Sequence, residues 1–253
     1  MKKDFAQKYR KLEDWHWWFR GRQRVLERVL ERELVGQQPK HILSLGCGPA
    51  EGLSWLMTFT NPGGSVVGLD LESMHARRLP KGVRFVVGSL ENAPLEDRSF
   101  DAVLALDVLE HLDDDGKGLS EAARLLRPGG LLLVTVPAVP SLWGAQDIVS
   151  EHRRRYTKSS LKRLLDASGL LGYRITYFNT LLFPVAATVR WRRRLLNTSQ
   201  VIRSDFEDSQ PGPLNEILAR IFGAERFLID RFSLPIGVSL LATCKTRSSF
   251  SES

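Results

Sequence analysis

The sequence predicts an α/β fold, a seven-stranded and mostly parallel sheet with helices on both faces. Three observations carry that reading. Short apolar runs alternate with segments of helical spacing, as parallel strands require because their crossovers need helices. The first run, Ile42, Leu43 and Leu45, breaks into the glycine turn of LSLGCGPAEG. The second, SVVGLD, ends on a carboxylate, Asp70, about 20 residues beyond that turn.

In chain order, an N-terminal arm (1–36) carries the string WHWWFRGR. Four aromatics, Trp15, Trp17, Trp18 and Phe19, stand within five residues. A small core cannot take them all, so they cover a cleft or partner surface, or else staple the arm in place. Strands follow near 41–46, 65–70, 83–87, 101–106 and 130–136, with helices between successive members. Glu51 to Phe59 has helical spacing, and Asp113, Asp114 and Asp115 supply N-terminal charge to a helix ending at Leu126. Arg127-Pro128-Gly129-Gly130 stops that helix ahead of the fifth strand. Ser159 to Ala167 reads as a helix, Gly172 to Phe178 as a sixth strand and Gly237 to Lys245 as the last. The expected division is a core at 37–178, a helical insertion at 179–235, a final strand at 236–246 and a polar tail at 247–253.

The glycine turn points to a ligand. Gly46 and Gly48 let the backbone bend sharply and approach a bound molecule where a Cβ would intrude. A helix opening just after the turn aims its N–H groups the same way. Asp70 stands where an acid accepts hydrogen bonds from ribose hydroxyls; the plain alternative is a strand-end turn residue. The dinucleotide fingerprint is incomplete, since Glu51 occupies its sixth position, so an adenosine ligand without a pyrophosphate fits better.

The stretches LSLGCGPAEG, GLD, GSLENAPLEDRSFDAVLALDVLEHL and LLRPGGLLLVTVP together resemble the successive motifs of class I S-adenosylmethionine-dependent methyltransferases over residues 40 to 137. The resemblance implies a Rossmann-like core, S-adenosyl-L-methionine as cofactor and methyl transfer as the reaction. It implies that Ser44, Gly46, Cys47 and Gly48 line the methionine moiety, and that Asp70, with Leu71 beside it, holds the ribose. Ser89 and Leu90 would flank the adenine, with Leu106 and Asp107 near the sulfonium. Ser44 and Ser89 stand where the family usually has Asp, and Ala50 where a third glycine is frequent. These departures bear on how tightly the cofactor is held. In relatives of this kind the N-terminal segment folds over the cofactor, and Arg20 or Arg22 would meet its carboxylate.

Methyl transfer mostly requires placing a nucleophile in line and excluding water, with a general base where that nucleophile carries a proton. His111, in LEHL after the fourth strand, and His152, in EHRRRYT after the fifth, are the base candidates, with Asp147 a third. Each has a plainer reading, as a residue that only shapes its loop. Arg153, Arg154 and Arg155 suit a phosphate or carboxylate, or form a solvated loop. The histidines lack metal-ligand spacing, and no nucleophile elbow appears.

The chain has 253 residues, a net charge of +7 and two cysteines, Cys47 and Cys244. Two cysteines make no disulfide framework and predict a reducing cytoplasm. The N-terminus lacks the apolar core of a secretory leader, and no apolar run reaches the roughly 20 residues of a membrane span. Arg190, Arg192, Arg193 and Arg194 surround Trp191 in FPVAATVRWRRRLL. That segment, 181–196, reads as a peripheral membrane or anionic-ligand element, or as a solvated face. Ile217, Leu218, Ile221 and Phe222 give a second amphipathic helix, expected to pack on the first.

HWWFRGR, HRRRYT and YFNTLLFP together resemble a group of bacterial methyltransferases of envelope glycan or lipid biosynthesis. The expected acceptor is therefore small or lipid-linked, anionic and methylated at oxygen. An RNA methyltransferase and a non-catalytic cofactor-binding protein remain the alternatives.

Overall fold

The computed structural model describes residues 12–76, 79–170, 172–195 and 210–246. The expected tail (247–253), the insertion's middle (196–209) and the first part of the arm (1–11) lie outside the described residues. In chain order the elements are α1 (Trp17–Glu33), β1 (His41–Leu45), β2 (Ser65–Asp70), β3 (Val83–Val87), β4 (Phe100–Leu106), α2 (Asp115–Leu125), β5 (Leu126–Pro137), α3 (Ala145–Val149), α4 (Lys158–Ala167), β6 (Arg174–Phe178), α5 (Phe183–Leu195), α6 (Pro213–Arg231) and β7 (Ser239–Lys245). The sheet runs β3-β2-β1-β4-β5-β7-β6.

The chain divides into two compact units. One gathers the residues up to Arg32, Pro137–Thr157 and Thr176–Leu240; the other holds Glu33–Val136, Lys158–Ile175 and the residues from Leu241. Pro137–Thr157 groups with the first unit, although the expected core at 37–178 encloses it.

In the second unit β1 lies between β2 and β4, parallel to both, with Leu43 opposite Val67 on one side and Val103 on the other. Ile42, Leu43 and Leu45 have no exposed surface. Their burial explains the unbroken apolar run, and each contributes about 2 kcal/mol. The order reverses at β1: the chain first steps outward through β2 and β3, then returns to β4 on the opposite side. Ligands of open α/β sheets bind beyond the carboxyl ends of the strands at such a reversal.

Local structure departs from expectation in four places. Arg127-Pro128-Gly129-Gly130 lies within β5, which starts at Leu126, rather than ahead of the strand, and the described residues between β2 and β3 hold a short 3-10 segment, Ser73–Ala76, in place of a helix. Residues 50–59 form a 3-10 helix, Ala50–Phe59, rather than an α-helix. Between β3 and β4 there is no helix; the chain runs through turns. Its backbone groups find partners on α2 instead of within a helix. Arg124 donates to the carbonyls of Ala93 and Leu95 (both 3.0 Å), and Glu121 accepts from the Ala93 N–H (3.2 Å). Asp114 caps α2 as its charge predicts, accepting from the Lys117 N–H at 2.9 Å.

In the first unit α1 lies against α6. A Cβ at Gly21 would meet Phe222 Cδ1 at 2.5 Å, so the glycine permits the close approach. Phe178 stacks on Phe222 (6.0 Å) and Trp17 meets its edge (6.2 Å). The Asn215 side chain accepts from the Trp17 N–H (2.8 Å) and donates to the Trp15 carbonyl (2.5 Å). Arg28 pairs with Asp230 at 2.5 Å, Arg24 and Arg32 donate to the carbonyls of Ala219 and Ile229, and Arg20 pairs with Glu216. Arg20, one of the two arginines expected at a cofactor carboxylate, is paired here with Glu216. Of the aromatic string, Phe19 is buried and the three tryptophans are half-buried.

Candidate active site

The second unit holds the cofactor candidates at the carboxyl ends of β1, β2 and β4. Gly46 and Gly48 both adopt left-handed backbone, with φ of +57° and +60°. For Gly46 the requirement is also spatial, because a Cβ there would strike Val108 Cγ2 at 2.2 Å. Around the Cβ direction of Gly48 no protein atom lies within 4 Å, so this glycine borders open space. The Gly48 N–H donates to Asp70 Oδ2 (2.9 Å), Glu72 N–H to Asp70 Oδ1 (3.1 Å) and Cys47 N–H to the Leu69 carbonyl (3.2 Å). Asp70 is thus tied to the glycine turn although 22 residues separate it from Gly48.

The other candidates stand at graded depth. Ser44 is buried within β1 opposite Gly68 and Leu104. Leu71, next to Asp70, is largely exposed. Ser89 accepts from the Glu91 N–H (3.1 Å), and Leu90 is buried. Leu106 closes β4, and Asp107 has φ of +54° with its N–H given to the Thr135 carbonyl (2.9 Å). The strained turn at Asp107 leads into a 3-10 segment, Leu109–His111, in which Glu110 is fully buried and His111 half-buried. Gly46, Gly48, Asp70 and Asp107 therefore gather at adjoining strand ends. A cradle with left-handed glycines, open space at Gly48 and a carboxylate bound to the turn fits an adenosine-type cofactor.

His152 and Asp147 belong to the first unit, on the loop after β5. That loop is pinned at both ends, Tyr156 N–H to the Pro137 carbonyl (2.8 Å) and Val139 N–H to the Tyr156 carbonyl (3.0 Å). Asp147 is fully buried. Its Oδ1 meets His152 Nδ1 (2.9 Å) and Arg155 Nε (2.7 Å), and its Oδ2 accepts from the Gly144 N–H (2.8 Å), with Arg190 at 3.9 Å. Burial works to raise its pKa; the His152 hydrogen bond, the Arg155 charge and the Gly144 N–H outweigh it and bring the carboxyl to about 2. Asp147, buried and already accepting from His152, Arg155 and Gly144, is better placed as an anchor for His152 than as a base.

The same network corrects two charge readings. Arg155, expected at the substrate mouth, is buried between Asp147 and the Ala138 carbonyl (2.8 Å). Arg190, expected among the membrane-facing arginines, donates to the Leu142 carbonyl at 3.0 Å. Arg153 is exposed and Arg154 half-exposed.

Two buried groups escaped sequence reading. His16 accepts from the Trp18 N–H at 3.2 Å, and burial lowers its pKa to about 4, keeping it neutral. Glu225 is fully buried on α6 and accepts from the Leu181 N–H at 2.7 Å. Burial raises its pKa to about 7, opposed by the N–H groups of Leu181, Thr180 and Asn179. A signal existed, since Glu225 lies on the helix face of Phe222 and Ile229, where a carboxylate needs a partner.

The profile of a methyltransferase domain family matches residues 43–134, from β1 to β5. Residues 43–134 carry a methyltransferase domain. The chain is 31% identical over 159 residues to a Mycolicibacterium smegmatis protein named "Probable S-adenosylmethionine-dependent methyltransferase", covering 61% of this chain and 59% of that one. It is 39% identical over 102 residues to phthiotriol/phenolphthiotriol dimycocerosates methyltransferase 1 of Mycobacterium ulcerans, covering 38% of this chain and 37% of that one. The chain thus spans between a third and three-fifths of the length of these curated relatives. In overall fold it matches a chain of the complex containing the Haloferax volcanii Trm112 methyltransferase activator, with a TM-score of 0.62, 19% identity and 98% and 97% of the two chains covered.

Proposed function

We propose that this chain transfers a methyl group from S-adenosyl-L-methionine to an oxygen of a small or lipid-linked, anionic acceptor, with His152 as general base. The observation that carries the reading is the pairing of His152 with buried, ionised Asp147 at 2.9 Å. With Asp147 accepting at Nδ1, the imidazole holds its proton there and Nε2 becomes the basic nitrogen. His111, half-buried beside Glu110, ranks second. When bound, S-adenosylmethionine supplies a methyl on a sulfonium that needs no further activation. Gly46, Cys47 and Gly48 would border its methionine part, with Ser44 beneath. Asp70 would take the ribose hydroxyls with Leu71 alongside, Ser89 and Leu90 would flank the adenine, and Leu106 and Asp107 would stand nearest the sulfonium.

His152 Nε2 would take the proton that the acceptor hydroxyl gives up, and Asp147 would offset the imidazolium charge. A lipid-linked acceptor is favoured by the dimycocerosates in the Mycobacterium ulcerans relative's name and by the basic, apolar segment 181–196, read as peripheral to the membrane's inner face. No described helix is long and apolar enough to cross a membrane.

The test is transfer of tritium-labelled methyl from S-adenosylmethionine to extracted bacterial envelope lipids. His152→Ala lowers the rate about 10²–10⁴-fold while leaving cofactor affinity unchanged, whereas Asp70→Ala weakens cofactor binding. Label that enters RNA instead, or turnover indifferent to His152, overturns the reading.

A further inference from the structure

Of the four α6 residues expected to pack on the first amphipathic helix, Phe222 is buried and Leu218 half-buried, but Ile217 and Ile221 are exposed. Phe222, Ala219 and Ile229 are buried on the α1 side, while Leu214, Ile217, Ile221, Leu228 and Phe232 are exposed, Leu214 at 69% and Phe232 at 60%. The spacing of three, four and seven residues places Leu214, Ile217, Ile221 and Leu228 within one narrow stripe of the helix, and Phe232 follows at its C-terminal cap. On α5 and its approach Leu181, Val185 and Val189 repeat at four-residue intervals and are likewise exposed. The segment leading into α5 is tied to the interior side of α6. Glu225, one turn from both Ile221 and Leu228, accepts from the Leu181 N–H, and Thr180 Oγ1 donates to the carbonyl of Ile236, itself exposed. Both elements thus present an exposed apolar stripe. Soluble proteins rarely leave such a surface in water.

Resting on the reading of a lipid-linked acceptor, we infer that these stripes seat the protein on an anionic lipid leaflet, with α5 and α6 lying in the plane of the headgroups. Charge decides the occupant. Arg220 and Arg231 stand beside the α6 stripe and Arg192 lies within the α5 arc, all exposed, with Trp191 at its margin. The acids of α6 are already engaged: Glu216 with Arg20 and Arg220, Asp230 with Arg28, and Glu225 in the interior. Arg226 lies over the Phe227 ring at 4.7 Å. A second copy of the chain would bring this basic margin against itself, whereas anionic headgroups neutralise it. Interfacial helices combine these parts: an apolar face, a basic margin and aromatics at the boundary. Arg190, turned to Leu142, takes no part, and the Arg193 and Arg194 side chains lie outside the described residues.

The full chain, without acceptor or cofactor, is sedimented with vesicles of phosphatidylcholine alone and of phosphatidylcholine mixed with phosphatidylglycerol. Binding is expected to the mixed vesicles and to fall as salt rises. Ile221→Glu with Phe232→Glu, and separately Arg192→Glu with Arg231→Glu, each weaken it about tenfold or more. S-adenosylmethionine titration of both variants stays unchanged, which shows that they fold. Absence of binding to mixed vesicles, or binding unaltered in both variants, overturns the inference. So does a concentration-dependent dimer, seen by light scattering, that Ile221→Glu with Phe232→Glu abolishes. Because vesicle binding needs no turnover, failure here leaves the methyl-transfer reading standing, and failure of methyl transfer leaves this one.

Discussion

Around the Gly46–Gly48 turn the backbone builds the candidate site, whereas around His152 the side chains do. In the cofactor region two left-handed glycines, one approach too close for a Cβ and N–H groups aimed at Asp70 define the shape. Few residue types satisfy such a backbone, so the sequence there is constrained at fixed positions. In the His152 region a buried carboxylate gathers one histidine, one arginine and one N–H from its own loop, and a second arginine, Arg190, from α5. Many sequences could supply such a cluster. The lesson is that a backbone-built site restricts which residue types can stand at its positions, while a side-chain network restricts only which charges it gathers.

The sharpest way to break this contrast is Asp147→Asn. It leaves Arg155 buried without its carboxylate, and loss of one partner of a buried ion pair costs about 3–5 kcal/mol. Urea unfolding should show that loss, with methyl transfer falling together with it. A variant of ordinary stability would mean that Asp147 is no anchor.

Glu225→Gln comes next. Its pKa rises from an ordinary 4.5 to about 7 in the folded state, so its favourable contribution is full at low pH and disappears as pH climbs through 7. His16, lowered from 6.5 to about 4, has the opposite sign: stability is lost as pH falls from 6.5 toward 4. Wild-type thermal stability should therefore vary little across this window. Glu225→Gln removes a change on the order of 3 kcal/mol and exposes the acid loss from His16. Parallel pH profiles for wild type and variant would refute the opposition.

Within the glycine turn, Gly46→Ala should cost about 1–3 kcal/mol from combined strain and collision, recovered in part by Val108→Ala. Gly48→Ala faces no collision and should cost about 1–2 kcal/mol from its backbone angle alone. Equal losses in calorimetry would show that Val108 yields freely. The smallest effect expected is Arg20→Ala. Its pair with Glu216 is about one-third exposed, so it contributes about 0.2–1 kcal/mol, and cofactor affinity should not move. A marked drop in affinity would return Arg20 to the cofactor.

The strands and the turn were legible because both obey local rules. Apolar runs such as HILSL and SVVGLD need two covered faces, and a Gly-x-Gly break after a strand has few other causes. The missing helix before β4 was not legible, because Arg124 and Glu121 on α2 satisfy that loop's backbone from a later part of the chain. Arg20, Arg155 and Arg190 looked alike as sequence, since a guanidinium near aromatics or other arginines carries no mark of its partner. Each was assigned by a carboxylate or carbonyl from elsewhere: Glu216, Asp147 and Leu142.

By itself the sequence determined the fold class, the order of its strands along the chain and the glycine turn with its acid, because periodicity and backbone freedom act over a few residues. Only the tertiary structure decided which charges are buried, which histidine is anchored and which face of α6 stays exposed. Those outcomes depend on pairs such as Asp147 with Arg190, or Leu181 with Glu225, that chain connectivity separates and packing brings into contact.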